Sequence, residues 1–286
     1  MDSIDHLHWS PSMRRAAIRV TCLTIILLAG SAGAAAGQHG PPGPDSEGTQ
    51  GKPKSSYSWG LGLGGITQQQ PYRGMKRDYF PIPLLVFENR WVKLMGPIFD
   101  LKLRDLDLGE NQEISFAVTA QPIGFDGYSS NDAPILNGMS RRKGGSFLGP
   151  SIQWSNPYVD VSAKWLYDVS GSSKGQKLSI GFARSSFAGP RLMFTPSVSA
   201  IWMNSKYVDY YYGVRVSEVR ADRPAYFADS TLNVELAVRT NYMIDKHQSV
   251  FLSLGYMMLG SQIKNSPLTG RSGESKVFLG YLYRFR

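Results

Sequence analysis

The chain has 286 residues, a net charge of +9, 42% hydrophobic residues and one cysteine. Thirty glycines, 15 tyrosines, 13 phenylalanines and six tryptophans, against only 19% charged residues, exclude a disordered chain and do not suit a helical bundle. A mean hydropathy of -0.23 argues against a bundle of apolar membrane helices of about 20 residues each, which leaves a β-rich sandwich or barrel.

Residues 1–36 read as a cleaved export signal. Arg14, Arg15 and Arg19 form a basic start, Val20 to Ala29 an apolar stretch, and Ala34-Ala35-Ala36 a small-residue cleavage site before Gly37. Translation starts at Met1 or at Met13, the second giving the more conventional signal. Cys22 sits in the apolar stretch without the small residues and leucine that lipidation requires. The mature chain is therefore expected to hold no cysteine and no disulfide. Loss of three basic and two acidic residues with the signal leaves +8. Residues 37–56 are rich in glycine, proline and polar residues with no apolar period, and read as a flexible periplasmic linker.

From Tyr57 onward the apolar residues fall on alternate positions. Leu61 and Leu63 alternate with glycines; Val159, Val161, Ala163, Trp165 and Tyr167 alternate with Asp160, Ser162 and Lys164. The same period runs through 191–203, 229–242, 247–259 and 275–285. No helical period is sustained, so 57–286 reads as one all-β unit. Strands of ten to twelve residues fit a tilted bilayer crossing, whereas soluble strands average about five or six. Trp154, Trp165, Tyr167, Trp202, Tyr242 and Tyr283 fall near strand ends on the apolar face, as interfacial girdles do. These features predict an antiparallel transmembrane β-barrel.

Eleven strands are predicted at 57–66, 79–88, 98–104, 112–122, 145–154, 157–167, 175–185, 191–203, 229–242, 247–259 and 275–285. The stretch 90–95 supplies a short twelfth, consistent with the even strand number of bacterial barrels. Both termini then face the periplasm. Segments 67–78, 123–144, 204–228 and 260–274 become outer loops, and the short links become periplasmic turns. The expected location is the outer membrane of a Gram-negative cell.

Barrel catalysis usually relies on a positioned imidazole, yet only His39 and His247 follow the signal, one in the linker and one in a predicted turn. No enzyme activity, cofactor, metal site or nucleic-acid partner is expected. Asp100, Lys102, Arg104, Glu113, Asp160, Lys164, Lys177, Arg191, Glu235, Arg239, Lys276 and Arg284 are expected to line the lumen, either as a mildly cationic pore or as a charge network that plugs it. Tyr207, Tyr210, Tyr211 and Tyr212 crowd one outer loop. They offer a binding surface, or extend the outer girdle by pairing as a strand above the membrane. The run Arg141-Arg142-Lys143 is either solvated loop charge or a contact for lipopolysaccharide phosphates. Tyr281, Tyr283 and Phe285 form a candidate C-terminal assembly signal.

Tyr72-Arg73-Gly74, Tyr79-Phe80-Pro81-Ile82-Pro83, Tyr211-Tyr212-Gly213-Val214, Ser266-Pro267 and the closing Gly280-Tyr281-Leu282-Tyr283-Arg284-Phe285 resemble the MipA/OmpV family of outer-membrane proteins in order and spacing. The resemblance spans nearly the whole mature chain. It implies a non-enzymatic barrel in outer-membrane lipid. It further implies a scaffold role, with a lytic transglycosylase and a peptidoglycan synthase as periplasmic partners. A narrow porin-like channel and a surface adhesion or antigen barrel are the alternatives.

Overall fold

The computed structural model describes residues 57–122 and 126–285. The expected signal peptide and linker lie outside the described residues. Thirteen strands form one antiparallel sheet: β1 (Ser58–Gln69), β2 (Asp78–Glu88), β3 (Val92–Met95), β4 (Ile98–Gly109), β5 (Gln112–Gln121), β6 (Phe147–Ser155), β7 (Asp160–Asp168), β8 (Gln176–Ala183), β9 (Ser186–Ala188), β10 (Leu192–Met203), β11 (Thr231–Met243), β12 (Gln248–Met258) and β13 (Gly273–Arg284). Each pairs with its sequence neighbour, except that β8 and the short β9 both pair with β10 and form one broken stave. The first and last strands meet over Gly60↔Arg284 to Gln69↔Ser275, which closes a barrel of 12 staves.

The register slips by about 16 residues in one circuit, which tilts the strands roughly 45° from the barrel axis. Alternation sorts the side chains as the pleat demands. Leu61, Leu63, Ile180, Phe182, Leu236, Leu254 and Leu279 face outward and are exposed, forming the apolar belt. Trp154, Tyr242, Tyr283 and Phe285 lie toward one rim of that belt, and Trp165 and Tyr256 toward the other.

Glycine is required where strands approach most closely. A Cβ at Gly62 would run into the Tyr281 carbonyl across the β1–β13 seam. The seam therefore uses Gly60, Gly62 and Gly64 on its inner face, and the Phe278 ring lies over Gly64.

The two rims differ. One carries tight turns at 89–91, 110–111, 156–159, 189–191 and 244–247. The other carries the long segments, which fold into a domed cap. Its interior holds Tyr72, Tyr128, Leu136, Tyr207, Val208, Tyr211, Val214, Ile263 and Leu268, all buried in one apolar cluster.

Candidate functional site

The site is the lumen together with the cap that covers it. At the centre of the cap lies helix α1 (Ser205–Tyr212), followed along the chain by the short helix α2 (Ser261–Lys264). Asn204 starts α1 by accepting the Tyr207 N–H at 3.1 Å, and the Gly213 N–H ends it on the Asp209 carbonyl. The four tyrosines are thus helical, which corrects the strand expected above the membrane. Tyr207, Tyr211 and Tyr212 are buried, which also corrects their expected role as an exposed binding surface. The physical reason is that loops from both halves of the chain close over them. Tyr72 donates to the Tyr211 carbonyl at 3.2 Å and stacks on Tyr212 with centroids 5.5 Å apart. Tyr207 donates to Asp126, Tyr211 to the Lys143 carbonyl, and Tyr212 to Glu274. Tyr210 is partly buried, and its hydroxyl accepts the Lys143 N–H. Burial pushes the phenols of Tyr72, Tyr128, Tyr207, Tyr211 and Tyr212 up, so they act as permanent donors.

Two arginines lock the cap. Arg142, within the basic run, is buried and grips Glu218 with two parallel hydrogen bonds of 3.0 and 2.8 Å. It is therefore not available to lipopolysaccharide, whereas Arg141 and Lys143 remain exposed. Burial alone would raise the Glu218 carboxyl. The Arg142 guanidinium and the N–H groups of Ser140 and Arg215 hold it instead at about 2. Arg223, fully buried, donates to the carbonyls of Ile135, Asn137 and Glu218 and so stitches segment 122–146 to segment 204–230.

Beneath the cap, strand parity and register turn Asp100, Lys102, Asp160, Lys164, Lys177, Glu235, Arg239, Lys276 and Arg284 inward. Lys102 pairs with Glu88 at 2.6 Å, Asp100 accepts the Thr119 hydroxyl, and Lys177 lies 3.9 Å from Asp126 and over the Phe147 ring. Three expected lumen charges lie elsewhere. A bulge between Lys102 and Arg104 inverts the pleat, so Arg104 pairs with outward-facing Phe116 and shares its face. Arg191 is exposed in the turn before β10. Glu113 sits exposed at the rim beside Ser115.

Glu88 and Lys93 face the same lumen but were not among the expected residues; alternation within β2 and the short β3 was the signal that pointed to them. Ser199 Oγ, Glu235 Oε2 and Asn241 Oδ1 are buried without a partner among the described residues, which calls for water in the lumen. No cluster of metal-ligating side chains occurs among the described residues.

A closed, tilted, 12-stave barrel with an apolar belt, aromatic rims and a polar interior defines an outer-membrane β-barrel protein. The sequence model described as MltA-interacting protein MipA matches residues 61–285, and the chain belongs to the MipA family. Relatives include the putative outer membrane protein YiaT of Escherichia coli strain K12, 26% identical over 79% of this chain and 90% of that one. The MltA-interacting protein of the same organism is 23% identical over 81% of this chain and 91% of that one. Among solved structures, an outer-membrane channel from Pseudomonas putida F1 aligns with a TM-score of 0.42 and 13% identity, covering 86% of this chain and 100% of that one. The protein is thus located in the outer membrane, with its turn-bearing rim toward the periplasm.

Proposed function

We propose that this barrel is a non-enzymatic scaffold for peptidoglycan-remodelling enzymes, docking them at its periplasmic rim. The observation that carries this reading is the β4–β5 hairpin. β3 pairs with β4 only from Val92↔Leu101 to Met95↔Ile98, and the Lys102 N–H makes one further bond to the Trp91 carbonyl. From there to Gly109, β4 pairs only with β5, and its other edge has no backbone partner among the described residues. That edge presents exposed Leu103 and Leu108 beside Asp105 and Asp107. A free strand edge with apolar side chains takes an extended segment of a partner. One relative's name, MltA-interacting protein, points to a lytic transglycosylase as such a partner; a peptidoglycan synthase beside it rests on the family resemblance. The test is a photo-crosslinking residue at Leu108, read in intact cells. Adducts with a lytic transglycosylase, absent for the same residue at outward-facing Leu236, support the scaffold. Equal labelling at both sites counts against it.

A second reading, a narrow channel for small solutes, draws on the charged, polar lumen. The packed cap opposes it, and planar-bilayer conductance separates the two. The adhesion alternative loses its structural support, because three of the four tyrosines are buried.

A further inference from the structure

The outer rim is cationic where the periplasmic rim is balanced. Across the outer segments 67–78, 126–146, 168–175, 204–230 and 259–274, ten exposed side chains are Lys or Arg and two are acidic, Asp222 and Asp229. Across the periplasmic stretches 89–91, 104–113, 156–159, 184–191 and 244–247 the counts are five and five. The outer end therefore attracts anions, and the periplasmic end does not.

Several outer cations stand beside a carboxylate: Arg220 pairs with Asp222 at 3.0 Å, and the backbone of Lys174 donates to Asp168. One group does not. Where β1, β2 and β13 leave the wall, two loops run side by side, the Arg73 N–H bonding to the Leu268 carbonyl at 2.8 Å and the Gly270 N–H to the Pro71 carbonyl at 2.9 Å. Gly270 makes room for the Arg73 stem, since a Cβ there would lie 3.2 Å from the Arg73 Cβ and 3.3 Å from its Cγ. Arg271 follows directly, so two exposed guanidinium groups are brought together.

Arg77 completes the group from below. It turns outward by the parity of β2, crosses Gln69 and donates from Nη2 to Ser275 Oγ at 2.7 Å. Its other guanidinium N–H groups have no partner among the described residues. Lys76 beside it is exposed. Segments 67–78 and 260–276 contain two carboxylates, Asp78 and Glu274. Both share the inward parity of Ile82 and Phe278, and Glu274 is buried against Tyr212. Like charges gathered without a carboxylate on their face repel one another, and an external anion relieves that repulsion.

The surface beneath the cations is apolar. Tyr79, two residues from Arg77 on the same outward face, is 73% exposed, and Pro81 and Pro83 continue that face as exposed residues. Exposed tyrosines mark the level of lipid headgroups. The cations thus sit at and just above the boundary between hydrocarbon and water, over an aromatic and apolar track. A phosphorylated head with acyl tails has the matching order of charge and hydrocarbon.

We infer that this seam binds a phosphorylated glycolipid of the outer leaflet, of the lipopolysaccharide type. Its phosphate is received by Arg73, Arg77 and Arg271, whose planar forks match phosphate oxygens two at a time, and an acyl chain lies along Tyr79, Pro81 and Pro83. The site is separate from the basic run 141–143, and it is independent of the scaffold reading, which uses the opposite rim.

The test uses the folded full-length mature chain in detergent micelles, with folding checked by heat-modifiable gel shift and lipid retention read by native mass spectrometry. Diphosphoryl lipid A should bind saturably and its dephosphorylated form should not. The variant R73Q/R77Q/R271Q should weaken lipid A by about tenfold, whereas K143Q/K174Q/K206Q, which removes the same charge elsewhere on the rim, should leave it unchanged. Arg77→Gln alone, a single change on the outer wall, should weaken it by about threefold and serves if the triple variant does not fold. Equal weakening by the two triple variants, unchanged affinity in the Arg77→Gln protein, or equal retention of the dephosphorylated lipid overturns the proposal. Displacement of lipid A by millimolar inorganic phosphate also overturns it, since the seam is then a site for the free anion.

Discussion

The outer and periplasmic ends of this barrel are built from the same chain by opposite rules. At the outer end, segments separated by 139 residues and more bury tyrosines, a bidentate ion pair and a fully enclosed arginine. At the periplasmic end the connections are short turns, and one hairpin leaves its strand edge uncovered. Closure is concentrated where the barrel meets the exterior, and, among the described residues, unsatisfied pairing capacity where it faces the periplasm.

The largest expected effect breaks the closed end. Glu218→Ala leaves the Arg142 guanidinium buried without its partner, at a cost of about 3–5 kcal/mol. The cap should loosen while the strands persist, seen as protease cleavage within 126–146 and 204–230 and as new conductance. Unchanged protease resistance would show that the ion pair does not hold the cap. A double Arg142→Met/Glu218→Leu variant should recover much of the loss, because it removes both charges together.

The second effect is acid dependence. The Glu218 carboxyl is held down at about 2, below the ordinary glutamate value of about 4.3. A depressed carboxyl stabilises the folded cap fully above the unfolded value. That contribution fades as pH falls through about 2. The outer loops should therefore resist pepsin at pH 4 and yield near pH 2, and cleavage at pH 4 would contradict the sign.

A smaller effect sharpens the view of α1. Tyr207→Phe removes the hydrogen bond to Asp126 while keeping the ring, and should lower cap stability by about 1–2 kcal/mol in thermal unfolding. The smallest tests the open end. Leu108→Lys is a surface change that should move stability by no more than about 0.5 kcal/mol. It should nonetheless reduce partner crosslinking from a neighbouring position such as Asp107. A large loss of stability would mean the hairpin belongs to the fold rather than to a partner.

Much of the barrel was legible in the sequence because a strand with lipid on one side and water on the other must alternate at every step. Leu61 and Leu63, or Val161 to Tyr167, need no distant partner to declare their faces. Single insertions break that logic. The extra residue in β4 sends Arg104 to the outside, and the apolar positions change phase there, from Leu101 and Leu103 to Leu106 and Leu108. The cap was not legible, because its packing depends on side chains brought together from loops far apart in the chain. Tyr72, Tyr128 and Tyr212 carry no local sign that they will stack. Asn204 did carry one: a capping residue three positions before a tyrosine run is a helix start, and it marks α1 against the strand reading.

The grip of the outer loops on α1 also sets an order in time. Tyr72 follows the first strand, and Ser266, which donates to the Tyr212 carbonyl, precedes the last. The parts of the cap therefore reach the same side of the membrane only once nearly every stave has inserted. Contacts this distant in sequence form late and slowly. An unfinished barrel passes through assembly with its outer mouth uncapped, and the packed cap is a property of the completed molecule alone.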